Sequence, residues 1–290
     1  MTEPTTHTLE VPGAVITYDV REPESPSPEP PLFLYGAPMG AAGFVTLASH
    51  FPDRTVITYD QRGAERSTRT DDADVTVHVQ ADDLHRVVEA VGRGPVDAFG
   101  TSGGANVGLA WAEAYPDDLR TLVAHEPPLY TVLPDAPVLE AINRDIYETY
   151  MRDGHGAGMA KFIAFVMHQG PVTEEYLSRP APDPAMFGLP TEDDGSRDDV
   201  LLGVNMLHIN AYRPDVEKLA AAPTRIVLGV GEESGEIQVA RTTRALADLM
   251  GTKVTTFPGD HGGFLGGEYG QHGKPDEFAA ALREVLSAGS

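Results

Sequence analysis

The chain has 290 residues, 41% hydrophobic and 22% charged, and contains no cysteine. That length holds one large α/β domain or two small ones with a sizeable core, and the lack of cysteine excludes disulfides, thiolate catalysis and zinc–thiolate sites. A formal net charge of −23 repels nucleic acid phosphate and anionic membrane, so neither is expected as a partner. The same charge keeps a protein soluble, and it suits neutral or cationic substrates. Met1 to Glu10 lacks a basic stretch followed by an apolar run, and no apolar stretch is long enough to span a bilayer. The expectation is a cytoplasmic protein.

In chain order, His7 to Val20 alternates as a strand pair turned at Pro12-Gly13, and Glu22 to Pro31 reads as a surface connection. Leu32 to Tyr35 is a buried strand, Phe44 to Phe51 a short helix, and the β-branched and aromatic Thr55 to Tyr59 a strand. Leu84, Val87, Val88 and Val91 have helical spacing within Gln80 to Val91. Pro95 to Phe99 is a strand, Gly104 to Tyr115 a helix stopped by Pro116, and Leu119 to Ala124 a further strand. Strands alternating with helices imply a parallel sheet covered on both faces.

The rhythm changes after Pro127-Pro128. Val138 to Met151, Met159 to His168 and Val200 to Asn210 read as helices, and Ala181 to Asp199 as loop. About eighty residues therefore read as a helical insertion over one end of the sheet. The alternation then returns: Thr224 to Val230 (strand), Gln238 to Met250 (helix), Lys253 to Phe257 (strand) and Asp276 to Leu286 (helix).

Gly100-Thr101-Ser102-Gly103-Gly104 fits G-x-S-x-G between a strand and a helix. In that setting the serine sits on a tight turn that lifts its hydroxyl clear of the sheet end, at a helix N-terminus that favours developing negative charge. A serine hydroxyl needs a base, and His261 is the candidate, on a glycine-containing loop after the last strand. The group that orients the imidazole should fall between them in sequence. Glu126, in His125-Glu126-Pro127-Pro128, and Glu232 or Glu233, after the strand at Thr224, both qualify. An oxyanion needs backbone donors, expected from Gly103 and from Ala37 in the loop after Tyr35. His125-Glu126 does not continue as H-E-x-x-H, since Leu129 stands where the second histidine would be and two prolines break the helix, so no metal site is expected there.

These segments resemble the α/β-hydrolase superfamily over nearly the whole chain. Tyr35-Gly36-Ala37-Pro38 resembles its His-Gly oxyanion loop, with Tyr35 for His. Asp60 to Ser67 resembles its D-x-R-G-x-G-x-S segment, with Glu65 for the second Gly. Ser102 matches the nucleophile and His261 the base. The family's usual acid position, three residues after Gly231, holds Ser234; some relatives carry the acid after the sixth strand instead, where Glu126 lies, and Glu126 is therefore favoured over Glu233. The resemblance implies a mostly parallel eight-stranded sheet flanked by helices, with a helical cap inserted after strand 6. The core would span 1–128 and 215–290 and the cap, or lid, 129–214. Phe162, Phe165, Val166, Met167, Met206 and Leu207 are candidates to line an acyl pocket beneath it.

The implied activity is hydrolysis of a small carboxylic ester, lactone or related acyl substrate through an acyl-serine, with Ser102, His261 and Glu126 as triad, Ala37 and Gly103 as oxyanion hole, and no metal or organic cofactor. Ser102 argues against dehalogenases and epoxide hydrolases, which resemble one another in using an Asp nucleophile. Peroxy-acid formation, biosynthetic acyl transfer or cyclisation, and a non-catalytic small-molecule binder are the alternatives on the same fold. The expected partner is a small molecule; a homodimer stays open.

Overall fold

The computed structural model describes residues 2–288. β1 (Thr5–Val11) and β2 (Ala14–Arg21) form an antiparallel pair turned at Pro12-Gly13. β3 (Leu32–Tyr35) follows, then a 3-10 turn (Ala41–Phe44) with the short α1 (Val45–Ser49), and β4 (Val56–Tyr59). α2 (Val77–Val91) starts at Thr76, whose side chain accepts the Val79 amide, and stops at Gly92 in the left-handed region. β5 (Val96–Thr101), α3 (Gly103–Ala114) and β6 (Leu119–His125) complete the first part.

The strands run in the order β1-β2-β4-β3-β5-β6, continued by β7 (Arg225–Gly231) and β8 (Thr255–Phe257); the two-residue ladder Thr68–Arg69 pairs with β2. All pairings from β4 to β8 are parallel, and only those of β2 are antiparallel. The sheet is thus mostly parallel, as expected, and the short Thr68–Arg69 strand makes a ninth beyond the eight expected. The central strands β3 and β5 are buried along their whole length, which is why they read as unbroken runs rather than alternating ones. On one face Leu84, Val87 and Trp111 of α2 and α3 meet the sheet; on the other Phe44 and Leu47 meet Phe278 and Leu282. Asp97 on β5, fully buried, is held by Arg54 at 2.6 Å and by Arg120 at 2.5 Å.

Between β6 and β7 lie α4 (Ala136–Asp153), α5 (His155–Val166), a π-helical turn (Leu201–Asn205) running into α6 (Met206–His208), and α7 (Val216–Ala221), a six-residue helix too short to announce itself by periodicity. These helices have an apolar cluster of their own, including Ile142, Phe165, Leu202 and Met206. α8 (Gln238–Leu249) and α9 (Pro275–Ser287) flank the last strands. No helix among the described residues is long and apolar enough to cross a membrane.

Candidate active site

The site residues gather at the carboxyl ends of the parallel strands β3, β5, β6 and β8, where the end of the sheet leaves room for a ligand. Ala37 lies two residues beyond β3, Ser102 directly follows β5, Glu126 directly follows β6, and His261 is four residues past β8. Ser102 has φ 55° and Glu126 φ 49°. Non-glycine residues seldom adopt this region, and they concentrate where surrounding structure enforces a functional geometry. The enforcement is visible: the Ser102 amide donates to the His125 carbonyl at 2.9 Å, and the Glu126 amide to Gly229 on β7 at 3.0 Å.

The glycines around Ser102 make room for a neighbour. A Cβ on Gly104 would stand 2.7 Å from Cα of Gly36, so the residue lets the turn press against the loop that carries Ala37. As the first residue of α3, Gly103 has an amide without an intrahelical acceptor, and it sits beside Ala37, whose carbonyl oxygen would lie 2.6 Å from a Cβ at 103.

Glu126 is fully buried, and its Oε2 lies 2.6 Å from Nδ1 of His261. Its Oε1 accepts the Gly231 amide at 2.9 Å. Burial alone would raise the carboxyl. The hydrogen bond and charge of His261 outweigh it, with help from His125 and the adjacent Ser234 hydroxyl, and hold Glu126 down at about 2. Ser234 is itself buried, and its amide donates to the Gly231 carbonyl at 3.2 Å, which fixes the turn beside Glu126. The Glu232 and Glu233 side chains are exposed, and Glu233 accepts from Lys274 at 2.5 Å. The structure thus brings His261 to Glu126 and leaves Glu233 at the surface. Ser102 and His261 line one cavity, though no hydrogen bond joins them.

His125 carried no signal in the sequence. It is fully buried in a box of Phe99, Phe257, Phe264 and Phe278, with its ring 6.0 Å from and nearly parallel to that of His261. Its Nδ1 meets the Thr101 hydroxyl at 3.1 Å, and its Nε2 has no hydrogen-bond partner among the described residues. Burial lowers its pKa to about 4, opposed by Glu126 and assisted by His261, so the ring is neutral at pH 7. His125, Glu126 and His261 place ligand-capable atoms within 4.8 Å of one another. A cation there would have to break the Glu126–His261 hydrogen bond and reach an imidazole sealed among aromatic rings, so the group does not form a prepared metal cage.

The cavity measures about 400 Å³. Phe162 and Val166 line it, together with Ile163, Leu201 and Ile209. The other four residues expected there do not. Phe165 and Met206 face inward to the helices' own cluster, Met167 is exposed, and Leu207 is half-buried off the cavity wall. Helical spacing alone does not separate a helix's two apolar sides. Asn205 also lines the cavity, pairing with Gln61 by two reciprocal amide hydrogen bonds of 3.0 and 3.1 Å. Gln61 belongs to the segment Asp60 to Ser67, which is itself tightly tied: Asp60 accepts from the Ala41 amide and Arg66, and Arg62 forks onto Asp83. Glu65, standing where glycine was expected, has φ 50°, which accounts for the glycine preference at that position.

The family model described as alpha/beta hydrolase fold matches residues 31–189. The chain belongs to this family. Among curated relatives, the uncharacterized hydrolase YraK of Bacillus subtilis is 28% identical over 285 residues, covering 96% of this chain and 95% of YraK. Among solved structures, the fold is similar to a thermophilic esterase from Thermogutta terrifontis (TM-score 0.67, 20% identity, 99% of both chains) and to proline iminopeptidase from Mycobacterium smegmatis (TM-score 0.65, 21% identity, 98% of both chains).

Proposed function

We propose that this α/β-hydrolase is a serine hydrolase that cleaves a small carboxylic ester, lactone or related acyl substrate through an acyl-serine intermediate. The observation that carries the reading is the 2.6 Å contact between His261 Nδ1 and the buried Glu126 carboxylate, beside a cavity lined by Ser102 and His261. With Nδ1 given to Glu126, the other imidazole nitrogen is available to take the Ser102 proton, and the ionised carboxylate stabilises the imidazolium that results. The Ser102 oxygen attacks the carbonyl carbon. The oxyanion that forms is met by the amides of Gly103 and Ala37. Its collapse expels the leaving oxygen, which takes the proton from His261. Water, deprotonated by His261, then attacks the acyl-enzyme, and collapse of the second oxyanion returns the proton to Ser102 and frees the acid. The helical segment 129–214 acts as a lid in this reading, supplying most of the apolar wall opposite Ser102.

The test is reaction with a fluorophosphonate probe and turnover of short and long p-nitrophenyl esters. Ser102→Ala should abolish labelling. His261→Ala and Glu126→Gln should each slow both reactions, whereas Glu233→Gln should leave them unchanged. A wild-type protein that neither labels nor turns over any ester overturns the proposal.

A further inference from the structure

The cavity beside Ser102 is uncharged. Although 22% of the chain is Asp, Glu, Lys or Arg, none of these lines it, nor the adjoining pocket of about 150 Å³ that Ser102 and His261 also border. A substrate carboxylate or ammonium would be desolvated there without a counter-charge, which is strongly unfavourable. The polarity present is of another kind: besides the Asn205 amide, already satisfied by Gln61, the walls carry the neutral side chains of Asn210, Gln238 and Gln271.

Asn210 stands out among them. It is only 8% exposed, yet its Nδ2 has no acceptor except the Met206 sulfur at 3.8 Å, and its carboxamide oxygen accepts no hydrogen bond among the described residues. A thioether is a weak acceptor. The carboxamide oxygen is not sealed from solvent but opens on the cavity, so a ligand group that reaches it exchanges a water contact for a direct hydrogen bond held in a mostly apolar wall. Gln238, by contrast, is engaged with the Gly170 carbonyl and Arg241.

We infer that the site takes an uncharged acyl substrate bearing, away from the scissile carbonyl, a neutral hydrogen-bonding group such as a hydroxyl that Asn210 recognises. A hydroxyl both donates and accepts, so it satisfies either face of the carboxamide. The inference rests on the proposed use of this cavity as the substrate site. A volume of about 400 Å³ lies in the range of small-molecule sites, typically about 300–1,000 Å³ and mostly apolar with a few placed polar groups.

The test uses aliphatic methyl ketones of five to nine carbons, which have no bond to hydrolyse. Each is made plain, with a terminal hydroxyl or with a terminal carboxylate, and binding is measured by calorimetry. At one chain length the hydroxy-ketone should bind the wild type about three- to tenfold more tightly than the plain ketone, the range of one net hydrogen bond, and the carboxylate more weakly than either. In Asn210→Leu, of similar volume, the hydroxyl advantage should vanish while plain-ketone binding persists. Asn210→Asp, with the carboxylate at the same place, should instead favour a terminal amine, a gain that misfolding cannot imitate. Carboxylate binding as tight as hydroxyl binding in the wild type, or loss of both ketones together in a folded Asn210→Leu, overturns the inference. Fluorophosphonate labelling of the same preparations reports separately on Ser102, so a failed serine mechanism and a failed recognition of the hydroxyl give different results.

Discussion

The buried His125 imidazole makes folding stability depend on pH in a window that can be isolated. Burial lowers its pKa from an ordinary 6.5 to about 4. Between those values the unfolded chain binds a proton that the folded chain does not, so stability rises with pH through the window and the contribution is complete above 6.5. Its size follows from the depression: moving from pH 7 to pH 5 costs about 2 kcal/mol, being roughly 1.5 units at about 1.4 kcal/mol each. Glu126 acts lower. Its carboxyl is depressed from 4.5 to about 2, so its contribution is present above 4.5 and is lost as pH falls toward 2. Measurements at pH 5 and above therefore leave it aside. The perturbation is His125→Phe, which suits the surrounding box of four phenylalanines and removes the titration. It also leaves Thr101 without a partner, a cost of about 1–3 kcal/mol that does not vary with pH. Urea unfolding of both proteins at pH 5, 6 and 7 should show the wild type losing about 2 kcal/mol more than the variant across the range. Parallel pH profiles would refute the reasoning and mean that the imidazole is protonated, or hydrated, in the folded chain.

Asp97→Ala should destabilise the fold by about 3–5 kcal/mol in thermal or urea unfolding, because Arg54 and Arg120 lose the buried carboxylate they share. Gly104→Ala should lower kcat more than it raises KM and cost about 1–3 kcal/mol of stability, since the new Cβ meets Gly36 backbone at 2.7 Å and pushes the Ala37 loop away. Placing an acid at Ser234 in Glu126→Gln, as Ser234→Asp, should restore roughly tenfold of the lost turnover by offering His261 a second carboxylate from the neighbouring strand end; no recovery would mean that His261 cannot turn toward β7.

What the sequence revealed of the fold and site was whatever rests on local pattern. The strands are legible because β3 and β5 are buried on both faces and hence apolar throughout, and Ser102 stands out because a strand–turn–helix with flanking glycines is a local device. Glu126 and Glu233 could not be told apart by local pattern, because the difference between them is whether His261 or Lys274 lies opposite, a matter of tertiary geometry. Asn205 and Gln61 are 144 positions apart, and nothing in either neighbourhood marks the other. Phe162 and Phe165 differ by less than one helical turn, yet one meets the cavity and the other the cluster formed with Tyr130 and Tyr176. The π-helical turn at Leu201–Asn205 has no sequence signature. Its extra residue rotates the following side chains, and with them Asn210, relative to a regular helix.

The paired amides of Gln61 and Asn205 have a consequence for how ligands come and go. They join the sheet end to the helical segment over the cavity, and both residues are buried; the Asn106 side chain adds a bond to the Ile209 carbonyl. Lifting that segment as a rigid flap would break all of these hydrogen bonds together. Rigid-body opening therefore costs several hydrogen bonds at once, a cost that side-chain rearrangement at the cavity rim does not carry.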